Sequence, residues 1–399
     1  MSRKVRKVKR KLKGHVKLIV SLLIAVLLGI AMFFAISNFS SSKNNDDNEK
    51  KVKTKEEKKK PKEYSASLFM VGDALIHSAV YQDAKLSDGT YDFKPMLEYI
   101  KPISSKYDLA YYNQETILGG ASLGCSNYPR FNSPQEVGDA FIDAGFNMVS
   151  LATNHTMDKG EAGVINSVNY WSSKDNVVST GQWSSQEARD EVHVYEKNGI
   201  KYAFFSYTTW TNGLETPVGK EYLNNVYSPE KAKTDIEKVK DKVDVIIVAM
   251  HWGTEYSLGV NDKQTEIANY LSDLGVNIII GAHPHVVEPV EYINNGKTFV
   301  IYSLGNFISD QEGTERLTGL MMDLTIKKVV DTSDNVTVSI ENPRAELIYT
   351  KSYYGRKRNF KVYPYSQLNN TLLPNYMSYY EKYKAIVSSR YPELVWGIS

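Results

Sequence analysis

Asn277-Ile-Ile-Ile-Gly-Ala-His283-Pro-His285 sets three isoleucines in a row, then Gly-Ala, then two histidines separated by one proline. A run that is apolar at every position, not at every second one, reads as a strand buried on both faces, the pattern of parallel sheets covered by helices. The same design recurs along the chain. Val245–Met250 runs into His251-Trp-Gly-Thr-Glu255, and Met148–Leu151 runs into Thr153-Asn154-His155, with Asp158 and Gly160 just beyond. Leu109–Tyr112 is followed by Asn113-Gln114-Glu115, and Ser67–Val71 by Gly72-Asp73, with His77 four residues further on. Lys201–Ser206, Thr298–Ser303 and Leu320–Ile326 read as further strands. Between them, Pro134–Ala144 carries Val137, Phe141 and Ala144 on one helical face, and Asp262–Leu274 carries Ile267, Leu271 and Leu274. Strands alternating with amphipathic helices predict an α/β fold with buried sheets.

The polar residues fall where chemistry is expected, because ligands of α/β sheets gather at the carboxyl ends of strands. Five of the seven histidines lie in these clusters; His15 and His193 do not. Taken singly, each cluster has a structural reading: Asp73 as a helix cap, Asn154 as a turn former, His251 as a hydrogen-bonded core histidine. Taken together, two carboxylates, an amide and several imidazoles at one sheet edge form a ligand set. Mixed nitrogen and oxygen donors suit Mn²⁺, Fe²⁺ or Zn²⁺ better than Ca²⁺, which takes oxygen alone. A carboxylate between two such cations bridges them, and a pair about 3.5–4 Å apart can clamp a phosphoryl group. Rival catalytic patterns are absent: there is no Gly-x-Ser-x-Gly and no His-Glu-x-x-His. Gly296-Lys297-Thr298 imitates the end of a phosphate loop, but Glu291 stands where its first glycine belongs.

Net charge is +2 over 399 residues, and the figure hides a split. Residues 1–63 hold 18 Lys/Arg against 6 Asp/Glu, a net of +12, so the remainder carries −10. An acidic body argues against nucleic acid, whose phosphates need a basic face. Residues 1–15 read as a cytoplasmic basic segment and 16–36 as a transmembrane signal anchor: Leu18–Ile36 is uncharged and long enough to cross a bilayer. Residues 37–63, rich in Lys, Glu, Asn and Ser, read as a disordered linker. The expected domain then spans 64–350, followed by a Tyr-rich extension, 351–399, with a last helix near Asn375–Ser389 that packs back on it. The single cysteine, Cys125, excludes an internal disulfide, and an outward domain without disulfides points to a bacterial cell membrane protein, single-pass, with its carboxyl-terminal domain extracellular.

Val71-Gly-Asp73, Asn113-Gln-Glu115, Leu151-Ala-Thr-Asn-His-Thr-Met-Asp-Lys-Gly160, His251-Trp-Gly-Thr-Glu-Tyr256, Gly281-Ala-His-Pro-His285 and Ile301-Tyr-Ser-Leu-Gly-Asn-Phe307 occur in this order. In them the chain resembles the CapA family of poly-γ-glutamate capsule biosynthesis proteins, themselves similar to calcineurin-type metallophosphatases. The resemblance implies a four-layer αββα sandwich and two divalent metal ions. It places Asp73 and His285 on a first metal, Asn154, His251 and His283 on a second, and Glu115 between them. His155 becomes a general acid with Asp158 orienting it, and Asn113 and Glu255 become substrate-binding positions. Two departures stand out. Metallophosphatases open with Asp-x-His, but Ala74 and Leu75 follow Asp73, so His77 supplies the imidazole only if the backbone turns at once. Glu115 replaces the usual bridging aspartate and is one methylene longer.

Three functions fit. The first is an accessory or export role in making a surface γ-glutamate polymer, with membrane and cytoplasmic capsule-synthesis proteins as partners. Amide ligation needs ATP, and without an ATP-binding loop the chain is not the ligase. The second is an envelope metal-dependent phosphoesterase, and the third a non-catalytic, metal-dependent module that grips an anionic polymer.

Overall fold

The computed structural model describes residues 60–355 and 358–398. The basic segment, the apolar span and residues 37–59 of the linker lie outside the described residues. Among the described residues no helix is long and apolar enough to cross a membrane.

The described residues open with β1 (Lys62–Ala74), α1 (Ser78–Ala84), β2 (Leu109–Asn113), α2 (Glu136–Asp143), β3 (Met148–Ser150), α3 (Gly160–Ser172) and β4 (Val178–Thr180). It continues through β5 (Tyr195–Lys197), β6 (Ile200–Thr208), α4 (Pro229–Val239), β7 (Val245–His251), α5 (Asp262–Asp273) and β8 (Ile278–Ala282). Then come β9 (Val290–Ile293), β10 (Thr298–Ile301), β11 (Asn306–Ile308), β12 (Thr318–Val330), β13 (Val336–Lys351), β14 (Lys361–Pro364), α6 (Tyr376–Val387) and β15 (Val395–Trp396). One sheet runs β14-β13-β12-β1-β2-β3-β4, with β11 on β1 and β15 on β13; the other runs β5-β6-β7-β8-β10-β9. β1 begins two residues inside the stretch read as linker, because Lys62 and Glu63 pair with Val330 and Val329.

Alternation along β1 shows how the layers form. Leu68 and Met70 point into a core shared with Phe204, Ile247, Ile280 and Ile301 of the second sheet. Phe69 and Val71 point the other way, onto Val80, Val137 and Phe141 under α1 and α2. The outer face of the second sheet, with Val248, Ile279 and Val300, is covered by Ile236 of α4 and Ile267 and Leu271 of α5. α5 starts where its sequence says it should: Asn261 and Gln264 form a reciprocal capping box. The tail also joins the inter-sheet core, through Leu368, Tyr383, Val387 and Leu394.

Parallel pairing fixes the edge that matters. Asp73 is in register with Asn113 and Asn113 with Ser150 in one sheet. His251 is in register with Ala282 in the other. The polar clusters therefore end level with one another within each sheet, three in the first and two in the second.

Candidate metal centre

Two glycines let these strand ends close up. A Cβ on Gly72 would lie 1.8 Å from the Gly305 carbonyl oxygen, and one on Gly281 would lie 1.8 Å from that of Tyr302. One segment, Tyr302–Gly305, thus fills the space that both lack, and larger residues would push the ligand strands apart. Beyond Gly281 the backbone is strained: His283 has φ 96° and His285 φ 62°, left-handed values that non-glycine residues adopt only when the surroundings enforce them.

Three sets of side chains each bring ligand atoms within 4.8 Å of one another: Glu115 with His251 and His283, Asp73 with Glu115 and His285, and Glu255 with His283 and His285. The first two share Glu115. Its Oε1 is 3.9 Å from His251 Nε2 and 3.6 Å from His285 Nε2. His285 Nδ1 lies 3.2 Å from Asp73 Oδ2 and 3.0 Å from Asn306 Oδ1. Asn154 Oδ1 is 3.0 Å from His251 Nε2.

The donors fit a cation. Both carboxylate oxygens of Glu115 and Nδ1 of His283 are buried without a hydrogen-bond partner. Such groups cost free energy unless something of opposite polarity reaches them. Burial pushes Glu115 well above the usual carboxylate range, the opposing pull of His285 notwithstanding. Burial works against a charged His285 too, but Glu115 and Asp73 outweigh it and push it up to about 9. Burial, then the neighbouring imidazoles, holds His251 well below its ordinary value and His283 at about 3. Two imidazoles are thus kept neutral, as metal ligands must be. Asp73, Glu115, Asn154, His251, His283 and His285 form a nitrogen–oxygen set for a borderline divalent cation.

His155 stands beside this set rather than in it. Its Nδ1 is 2.8 Å from Asp158 Oδ2, which also accepts the Phe131 N–H at 2.7 Å. With Nδ1 held, Nε2 is the nitrogen left for the cleft that His155, Glu255 and His285 help to line, a space of about 640 Å³. Glu255 is exposed at this cleft and reaches His283 and His285 as well, so its position is shared between solvent and ligand set.

Two sequence-predicted positions sit differently from their reading. His77 joins none of the three sets. After Asp73 the chain stays extended, Leu75 N–H donating to the Ile308 carbonyl, and His77 becomes the residue before α1. Its ring packs edge-on to Phe131, which makes the same kind of contact with His155 and Tyr128, and it lines the cleft. Asn113 is buried and braces ligands: Nδ2 donates to Asp73 Oδ1 at 2.9 Å and lies 3.4 Å from His251 Nδ1, while Oδ1 accepts from Ser150 at 2.6 Å. It is not among the residues that line the cleft, and its hydrogen bonds orient the ligands. Sequence reasoning passed over Asn306, although the motif Ser303-Leu-Gly-Asn306 was in view. It also missed Phe131, whose only signal was a lone aromatic in a loop.

The family described as "Bacterial capsule synthesis protein PGA_cap" matches residues 67–311. The PGA biosynthesis protein CapA of Bacillus subtilis (strain 168) is 31% identical over 193 residues, 47% of this chain and 48% of that protein. The capsule biosynthesis protein CapA of Bacillus anthracis is 26% identical over 259 residues, 62% of this chain and 61% of that protein. The chain thus spans about half to three fifths of the length of these relatives. Among solved structures, the calcineurin-like phosphoesterase YfkN from Bacillus subtilis aligns with a TM-score of 0.42 at 17% identity, over 70% of this chain and 91% of that one. The 5'-nucleotidase from Candida albicans aligns at 0.38 and 12%, over 67% and 52%. These low scores carry no weight beside the family match. The match covers more than half of the chain and every residue of the ligand set, and the chain belongs to the bacterial capsule synthesis protein family PGA_cap.

Proposed function

We propose that this chain is an accessory protein of capsule-polymer synthesis that hydrolyses a phosphoester at a two-cation centre on the outer side of a bacterial membrane, within a four-layer sandwich of metallophosphatase type. One observation carries the centre: Glu115 is shared by two ligand sets, and neither of its buried oxygens has a protein partner. In this reading Asp73, Glu115 and His285 hold one cation, and Glu115, Asn154, His251 and His283 the other. Bound there, divalent cations supply Lewis acidity and an activated water.

The chain's own residues do the rest. Asn113 and Asn306 fix the ligand rings and carboxylates, and the strained His283–His285 backbone keeps them pointing inward. His155 gives its Nε2 proton to the leaving oxygen as the P–O bond breaks, and Asp158 steadies the imidazolium through Nδ1. The acidic body, the family and the absence of a nucleotide-binding loop support an accessory step rather than ligation.

Full-length protein loaded with Mn²⁺ is expected to cleave an aryl phosphate, and His155→Ala to lose about 10²–10⁴-fold in rate. Wild type and variant that are equally inert across a panel of metals and esters would end the hydrolytic reading. Location has its own test. Cys125 is exposed and is the single cysteine, so a membrane-impermeant maleimide should label it in intact cells. Labelling only after lysis would place the domain inside. Deleting the gene should remove surface polymer; normal polymer would separate the chain from capsule synthesis.

A further inference from the structure

The floor of the cleft is accounted for by metal ligands and His155; its mouth is not. Tyr128, Trp210 and Tyr256 line it and are 71%, 59% and 46% exposed. Among the described residues only five aromatic side chains are this exposed, the others being Tyr353 and Tyr354, so three of five surround one opening. Exposed aromatic surface gathered at one place marks a binding site.

These rings are also held in place. Trp210 follows β6, and its N–H and carbonyl both bond the Thr208 hydroxyl, at 3.3 and 2.8 Å. Tyr256 sits at φ 65° with its N–H on the Pro284 carbonyl at 2.8 Å, and the Arg316 guanidinium lies 4.8 Å from its ring centroid. Tyr128 leans on Phe131, which touches both His77 and His155. A left-handed backbone at an exposed tyrosine is strain retained beside the chemistry. Arg130 is exposed in the same lining and has no ion-pair partner among the described residues.

We infer that the ester taken by this cleft carries a ring in its leaving group, a sugar or a heterocycle, stacked on Trp210 and Tyr128 with Arg130 favouring the anion. This rests on the hydrolytic reading above and names its substrate class. A linear carboxylate polymer offers no ring face and would need a row of cations, but the lining supplies Arg130 as its one Arg or Lys, with the acidic Glu255 opposed to such a ligand.

The test compares kcat/KM of the Mn²⁺-loaded full chain for a nucleoside 5′-monophosphate, a hexose 1-phosphate and ring-free glycerol phosphate. A ring is expected to gain about tenfold, since stacking on an aromatic side chain is worth roughly that or more. The ratio of ring-bearing to ring-free ester should fall to about two or less in Trp210→Ala/Tyr128→Ala, chiefly through KM. Whichever ring wins identifies the source. No preference in wild type, or one that survives the double substitution, overturns the inference. If no ester is turned over, binding still decides. Trp210 fluorescence, assigned with Trp210→Phe, should respond to ring-bearing phosphonates well below the concentration needed for methylphosphonate. An equal response overturns the inference, whereas selective binding without turnover retains it and fails hydrolysis alone.

Discussion

Asp235 and Glu115 are both buried carboxylates, and they are treated in opposite ways. Asp235 accepts from Arg189 through both oxygens, at 2.8 and 2.5 Å, and from the Tyr207 hydroxyl at 2.7 Å. Arg189 reaches Asn225 as well and stacks over Trp183. Glu115 has no hydrogen-bond donor on either oxygen. A third carboxylate, Glu288, lies between them in kind: Gln264 donates to one oxygen at 2.7 Å, the other has no partner, and burial pushes the group up to about 8. One acid is satisfied by the protein, one is left for a cation, and one is kept neutral by a proton. A buried charge that the fold does not answer is therefore a pointer to function only where other ligands converge on it.

The largest effect should come from breaking the satisfied pair. Asp235→Ala leaves the Arg189 guanidinium buried and unpaired, at a cost of about 3–5 kcal/mol in urea denaturation. Next, Glu115→Gln should lower divalent-metal affinity by about 100-fold or more, read by elemental analysis and titration. The same change should leave the chelated protein as stable as wild type or more so, because it replaces a carboxyl group whose buried oxygens have no hydrogen-bond donor; a loss as large as that of Asp235→Ala would erase the contrast. Metal itself should stabilise the wild type by about 2.7 kcal/mol at a hundred times Kd, and chelation should remove that gain.

The smallest effect is a pH slope. Glu288 binds its proton more tightly folded than unfolded, so its contribution is full below about 4.5, the ordinary glutamate value, and is lost as pH rises toward about 8. In metal-free protein the wild type should lose stability across that window relative to Glu288→Gln, which carries no titrating group there. Parallel curves would show that Glu288 is not held neutral.

The strands that carry ligands were legible because they are buried on both faces and read as unbroken apolar runs. β13 was not: Val336–Lys351 interleaves Glu341, Arg344 and Glu346 with apolar residues, and much of its first half is exposed. α3 was hidden by glycine, asparagine and serine in its sequence. Asp73, Glu115, His251, His283 and His285 could be grouped in advance because each ends a recognisable strand. The position of His77 could not, since it depends on whether β1 continues, and that is settled by its pairing with β11, a strand of three residues. Trp210 and Tyr256 belong to loops, where no period marks a side chain for the cleft.

β1 has one more consequence. The strand that begins at Lys62 reaches the ligand Asp73 one residue before its end, paired with β12 from Lys62 to Met70 and with β2 at Leu68–Met70 and Asp73. At about 3.3 Å per residue it works as a ruler of roughly 40 Å. Any attachment made through residue 62 would hold the cation site at that fixed reach, so lengthening or shortening the chain ahead of it would shift the whole body without altering the stand-off between its first strand residue and its chemistry.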